Sequence, residues 1–176
     1  MTPPTGAVSQ IAEPQLQALY SYWSGKRRGT DWPARQDIRP EEIKPLLPYV
    51  MLVDVLGLGH RFRFRLVGTD VAFGIDPTGK LLHEAVPEGS YRDHITAQFR
   101  RGAAGPGALY NQSSYTYAGV AGPRGISRLF MPLSSDGRAV DMMLVGQTRD
   151  GLAHIERSTW QANPPAVFER LELRLP

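Results

Sequence analysis

The string with the most chemical promise is Gly74-Ile75-Asp76-Pro77-Thr78-Gly79-Lys80, which has the glycine and lysine spacing of a phosphate-binding loop. The next residue is Leu81, so the hydroxyl that would hold magnesium is missing. No buried strand leading into a long helix flanks the string, so its amides lack the geometry for phosphate, and a turn over Asp76–Gly79 is expected instead. The histidines are His60, His83, His94 and His154, and no two share a helix at ligand spacing, so no metal site is expected. His94, beside Asp93, reads as a surface histidine. Ser113, Ser114 and Ser127 fall in predicted strands without a Gly-x-Ser-x-Gly elbow. Glu41-Glu42 sits at a predicted helix start, where two carboxylates complement the dipole. Cysteine is absent, which removes thiol nucleophiles, thiolate ligands and disulfides. These residues point to binding rather than catalysis, with no cofactor.

The background agrees. At 176 residues, 41% hydrophobic and 21% charged, the chain has the size and composition of one soluble globular domain. No apolar run approaches the ~20 residues of a membrane span, and the start, MTPPTGAVSQIAEPQ, lacks the basic and apolar parts of a secretory signal. A cytoplasmic protein is expected. The net charge of +3 invites a nucleic-acid reading. The only basic cluster, Lys26-Arg27-Arg28 with Arg35 and Arg39, is interleaved with Asp31, Asp37, Glu41 and Glu42, the pattern of a solvated, ion-paired surface.

The elements that must position these residues follow from periodicity. Residues 1–14 read as a flexible tail, 15–150 as the folded domain, and 151–176 as a C-terminal extension. Leu16, Leu19, Tyr20 and Trp23 recur at helical spacing and form one face of an amphipathic helix. A short helix is predicted from Arg39 to Leu47, with Pro40 in its first turn. Tyr49–Leu56 is a continuous apolar run, a buried strand, and Gly57–His60 a turn. Arg61–Val67 alternates, with Phe62, Phe64 and Leu66 on one side and Arg61, Arg63 and Arg65 on the other. Short and longer helices are predicted from Thr69 to Phe73 and from Tyr91 to Arg101. Strands return at Leu109–Ala118, Ile126–Leu133 and Ala139–Gln147. The run AVFERLELRL near the end fits a strand and a short amphipathic helix equally. The order predicts an α+β fold, an antiparallel sheet with helices on one face.

Several of these segments together resemble the PAS-like proteins common in bacteria, chiefly alphaproteobacteria. The residues that carry the resemblance are Leu16-x-x-Leu19-Tyr20-x-Tyr22-Trp23, Pro33-x-Arg35-x-Asp37-Ile38-x-Pro40, Leu47-Pro48, Asp54, Phe64-Arg65-Leu66-Val67-Gly68-Thr69, Gly74, Thr78-Gly79, Pro132-Leu133-Ser134 and Asp136-Gly137. They span roughly residues 15–147. The resemblance implies a five-stranded antiparallel sheet with helices between the second and third strands, a small cavity between sheet and helices, and pairing of two chains through an N-terminal helix. It implies a stand-alone sensory or regulatory module acting through a signalling protein partner. Haem-binding PAS domains take an axial ligand from the region of His94, whereas cysteine-dependent flavin or thioester photochemistry has no sulfur here.

The candidate pocket consists of Phe62, Phe64, Leu66, Phe73, Ile95, Phe99, Met131, Met142 and Leu144, with Tyr115, Tyr117 and Ser127 as polar contacts. These side chains would either line a cavity for a small apolar or aromatic ligand or simply fill the interior. Leu16, Leu19, Tyr20 and Trp23 would either dock on the sheet or form a homodimer interface, and the resemblance favours the dimer. Two other readings compete: a small α+β enzyme using the same cavity, and a basic nucleic-acid binder.

Overall fold

The structure, a computed structural model, describes residues 5–72, 76–116, 122–150 and 166–176. Its helices are α1 (Thr5–Val8), α2 (Pro14–Gly25), α3 (Thr69–Ala72), α4 (Leu82–Ala85) and α5 (Ser90–Ala103). Its strands are β1 (Val50–Leu56), β2 (Arg61–Val67), β3 (Ala108–Thr116), β4 (Arg124–Leu133), β5 (Met142–Arg149) and β6 (Ala166–Leu175). The strands form one antiparallel sheet in the order β2-β1-β5-β4-β3-β6. The segment predicted as one helix from Arg39 to Leu47 is a pair of 3-10 turns, Pro40–Glu42 and Lys44–Tyr49; Pro45 and Pro48 cannot donate the hydrogen bonds an α-helix needs.

The sheet is an α+β core as expected, but it has six strands among the described residues rather than five, and helices cover both faces rather than one. On one face, α2 and the 3-10 turns pack over Val50, Leu52, Leu129, Met131, Leu133, Met142 and Leu144. On the other, α4 and α5 pack over Val53, Phe62, Phe64, Leu109, Phe130, Met143 and Val145. The physical reason is visible in β1 and β4. Almost every residue of both is buried, so neither face can be left to water.

Two glycines set how closely the layers approach. A Cβ on Gly146 of β5 would stand 2.7 and 2.8 Å from methyl carbons of Leu16 and Leu19, and one on Gly102 of α5 would stand 2.7 Å from Cβ of Phe130. Bare backbone at these positions lets α2 and α5 lie flush on the sheet.

The N-terminal helix docks within its own chain. Leu16, Leu19, Tyr20 and Trp23 are all fully buried. Trp23 donates its indole N–H to the Pro132 carbonyl at 2.9 Å, and Tyr20 donates its hydroxyl to the Pro176 carbonyl at 2.6 Å. Burying four such side chains is worth roughly 6–12 kcal/mol before entropy, at ~1.5–3 kcal/mol each. This face is therefore unavailable as the dimer interface expected of it.

The expected boundaries also shift. Ile11 of the supposed tail is 1% exposed, and α1 precedes it. The C-terminal segment set outside the domain returns as β6, whose ten residues complete the sheet beside β3. In AVFERLELRL leucine recurs every second residue only from Leu171 onward, after an irregularity opposite Gln112/Ser113, so the strand period covers only half of the run.

Candidate functional site

The site lies between α5 and the sheet, and a row of polar residues across three strands builds it. Asn111 of β3 stands opposite Arg128 of β4, which stands opposite Gln147 of β5. All three are buried, although the residues flanking Arg128 on its own face, Ile126 and Phe130, are apolar. Burying a guanidinium costs several kcal/mol unless its donors are used. Here Arg128 Nε donates to Gln147 Oε1 at 2.7 Å, and Nη1 donates to Tyr115 Oη at 2.7 Å and to Gln98 Oε1 at 3.1 Å. The guanidinium also lies 5.7 Å from the Tyr115 ring centre, within cation–π reach.

α5 supplies the lid of this row. His94 and Gln98 stand one turn apart on the face that also carries Tyr91, Ile95 and Phe99. Arg128 takes the Gln98 amide oxygen, and this fixes the direction of the amide. Its Nε2 then turns to Asn111 Oδ1, to Ser113 Oγ at 3.1 Å and to His94 Nε2 at 2.9 Å. Ser113 Oγ donates to Asn111 Oδ1 at 2.7 Å and lies 3.2 Å from His94 Nε2. With the Gln98 amide as donor, His94 Nε2 accepts and the neutral ring carries its proton on Nδ1; with the proton on Nε2, the ring donates to Ser113 Oγ instead. The His94 pKa is pushed down to about 4, first by burial, then by the positive charges of Arg128 and Arg101, against a weaker upward pull from Glu172. The surface histidine expected beside Asp93 is thus half-buried and faces inward, because the α5 stripe carries it over Ser113.

An aromatic collar surrounds the polar row. Tyr115 meets Tyr91 edge to face at 5.4 Å and His94 at 6.3 Å. Phe99 meets Phe62 at 5.3 Å and Phe130 at 5.2 Å.

The sequence-predicted pocket residues do not share one interior. Phe62, Phe64, Ile95, Phe99 and Tyr115 gather under α5. Met131, Met142 and Leu144 face α2 on the opposite side of the sheet, because each sits one residue out of phase with the α5-facing positions of its strand. Leu66 is 46% exposed; a register shift sets Val53 against Phe64 but Leu52 against Leu66, so Arg65 is extra and the alternation breaks. Phe73 and Tyr117 lie outside the described residues. An open cleft of about 650 Å³ between the end of α2 and the C-terminus, lined by Arg27, Thr30, Asp31 and Arg174 among others, contains none of these candidates.

Ser127 belongs to a second polar group, on the α2 face. Its hydroxyl donates to Glu13 Oε1 at 2.6 Å, Gln112 donates to the same oxygen at 3.2 Å, and Tyr110 donates to Oε2 at 2.8 Å. Burial, with Glu13 assisting, raises the Tyr110 pKa above the ordinary phenol value. This group clamps the segment before α2 to the sheet. At the far edge, Asp54 is buried and accepts from Arg63 and Arg65, which accounts for the arginine face of β2.

Asp76 closes the turn predicted at the Gly74–Lys80 string by accepting from the Thr78 N–H at 2.9 Å, while Gly79 and Lys80 bond Phe64 of β2. Gln98, Asn111, Arg128, Gln147 and Glu13 escaped sequence reasoning. The available signal was polar residues at alternate positions in strands otherwise apolar on that face: Asn111, Ser113 and Tyr115 in β3, and Arg128 between Ile126 and Phe130 in β4. Among the described residues, no cluster of three metal-ligating side chains occurs, and no helix is long and apolar enough to cross a membrane.

No curated protein and no solved structure matches the chain significantly. Residues 11–96 match the model of a family described as PAS domain, from Ile11 before α2 to Thr96 within α5. Over that stretch, just under half its length, the chain is similar to PAS domains.

Proposed function

We propose that this protein is a PAS-like sensory or regulatory module that acts through a protein partner, and that its input is read by the polar row beneath α5. The observation that carries this reading is the hydrogen-bonded chain that runs from half-buried His94 through buried Gln98 and Arg128 to Gln147. A guanidinium at 3% exposure contributes no more to stability than an apolar side chain of its size would, which favours a role for it beyond packing. A polar or anionic small molecule that took over one of the Arg128 donors would release Gln98 Oε1, let the amide turn, and free His94 to change protonation. α5 carries both His94 and Gln98, so such a change would shift the balance of helix positions over the sheet. The ligand class is therefore polar, in contrast to the apolar or aromatic ligand that composition favours.

Native mass spectrometry of the purified protein tests the ligand-gated part. A noncovalent small-molecule adduct that is present in the wild type and absent from a folded Arg128→Met variant supports it. Bare protein in both, together with no partner that prefers one of the two in quantitative co-purification, refutes the reading.

A further inference from the structure

The two edges of the sheet are treated differently. β2 is covered along part of its outer edge: Phe64 donates to the Lys80 carbonyl at 3.0 Å, Gly79 donates to the Phe64 carbonyl at 2.7 Å, and Arg63 bridges Leu81. β6 pairs with β3 alone, and among the described residues nothing pairs with its outer edge. An uncovered edge is a template for another strand unless charge, proline or a bulge spoils it. β6 has its irregularity at one point, opposite Gln112/Ser113, and runs regularly from Leu171 to Leu175. Leu171 is 36% exposed and Phe168 62%, so the rim beside this edge is apolar as well.

The charges of the regular stretch are self-complementary. Leu171, Leu173 and Leu175 pair with Gln112, Tyr110 and Ala108 and share the α2 face; Glu172 and Arg174 pair with Asn111 and Leu109 and share the α5 face. An antiparallel partner of the same sequence, centred on Leu173, sets Glu172 opposite Arg174 twice and leucine opposite leucine three times. Centring on Glu172 instead sets Glu172 against itself and Arg170 against Arg174, which repel. Directly opposed residues of opposite charge stabilise a strand pair and like charges destabilise it. Charge thus excludes a centre at Glu172, and the irregularity at Arg170 disfavours one at Leu171, where Arg170 would have to stand opposite Glu172; a centre at Leu173 uses the regular stretch alone.

We propose that β6 pairs antiparallel with β6 of a second copy across a two-fold axis at Leu173, joining two sheets into one. The interface is isologous, so it closes at two chains. It leaves α2 docked, and Glu172 and Arg174, which within their own chain meet Arg101 of α5 at 2.8 and 2.6 Å, would share those contacts with the second copy.

The chain has no cysteine, which makes a direct test available. At the axis a residue faces its own copy with Cβ atoms about 5 Å apart, within reach of a disulfide after small adjustment. Leu173→Cys under mild oxidation is expected to give a covalent dimer, and Leu171→Cys, which would face Leu175, is not. Analytical ultracentrifugation supplies the second arm. Arg174→Glu is expected to raise the dimer dissociation constant at least tenfold, and Glu172→Arg combined with Arg174→Glu to restore it, with circular dichroism confirming that each variant is folded. A wild type that stays monomeric at high concentration overturns the proposal. So does a dimer indifferent to Arg174→Glu, or folded Leu173→Cys that forms no covalent dimer.

Discussion

The proton state of His94 makes the polar row measurable. In an unfolded chain the ring titrates near 6.5; in the fold it is held to about 4 by burial and by the Arg128 and Arg101 charges. Because the folded value is the lower one, stability is intact above pH 6.5. As pH falls toward 4 the unfolded chain binds a proton that the fold refuses, and stability declines. Taken in full, the displacement from 6.5 to about 4 sets the loss at about 3.4 kcal/mol, from ~1.36 kcal/mol per pH unit. His94 is only partly buried, and solvent screening reduces this to about 1–2 kcal/mol. Urea denaturation of the wild type and His94→Gln at pH 7 and pH 4.5 isolates the histidine, since every carboxylate contributes alike to both proteins. The wild type is expected to lose about 1–2 kcal/mol more than the variant over that interval. The NMR titration of the ring should have its midpoint well below 6, and Arg128→Met should move it upward, because both a positive charge and the constraint on Gln98 are removed. Equal losses in the two proteins, or a ring that titrates near 6.5 in the wild type, would refute the arrangement of Gln98 over His94.

Three further outcomes are expected. Glu13→Ala removes an acceptor of three hydrogen bonds and leaves Tyr110 and Ser127 unanswered; it should cost about 2–4 kcal/mol in the urea midpoint, at ~1.5–3 kcal/mol for a charge-assisted bond and less than full additivity. Gly146→Val should destabilise by about 1–3 kcal/mol through overpacking. Hydrogen exchange should localise the Gly146→Val effect to α2, whose Leu16 and Leu19 occupy the space of the new side chain. At the β2 edge the two directions of substitution differ: Asp54→Asn frees two half-exposed arginines to water and should cost less than about 1.5 kcal/mol, whereas Arg63→Met with Arg65→Met strands a buried carboxylate and should cost about 3 kcal/mol or more. Chemical denaturation of the two variants side by side checks the order.

Periodicity in the sequence determined the elements. The run Tyr49–Leu56 announced a buried strand, and the four-residue rhythm of Tyr91, Ile95 and Phe99 announced α5, because each pattern expresses a local geometry that neighbouring residues share. The absence of cysteine excluded thiol chemistry outright. Other features were decided only by the tertiary structure. A single extra residue at Arg65 turned Leu66 out of the predicted pocket, and strand phase sent Met131, Met142 and Leu144 to the α2 face. The reason is that side-chain direction in a strand has period two, so one bulge or one register step exchanges inside for outside without leaving a trace in composition. The polar row is of the same kind. Asn111, Arg128 and Gln147 lie on three strands and His94 and Gln98 on a helix. What makes them a site is adjacency across the sheet, a property of pairing that the order of residues along the chain does not contain.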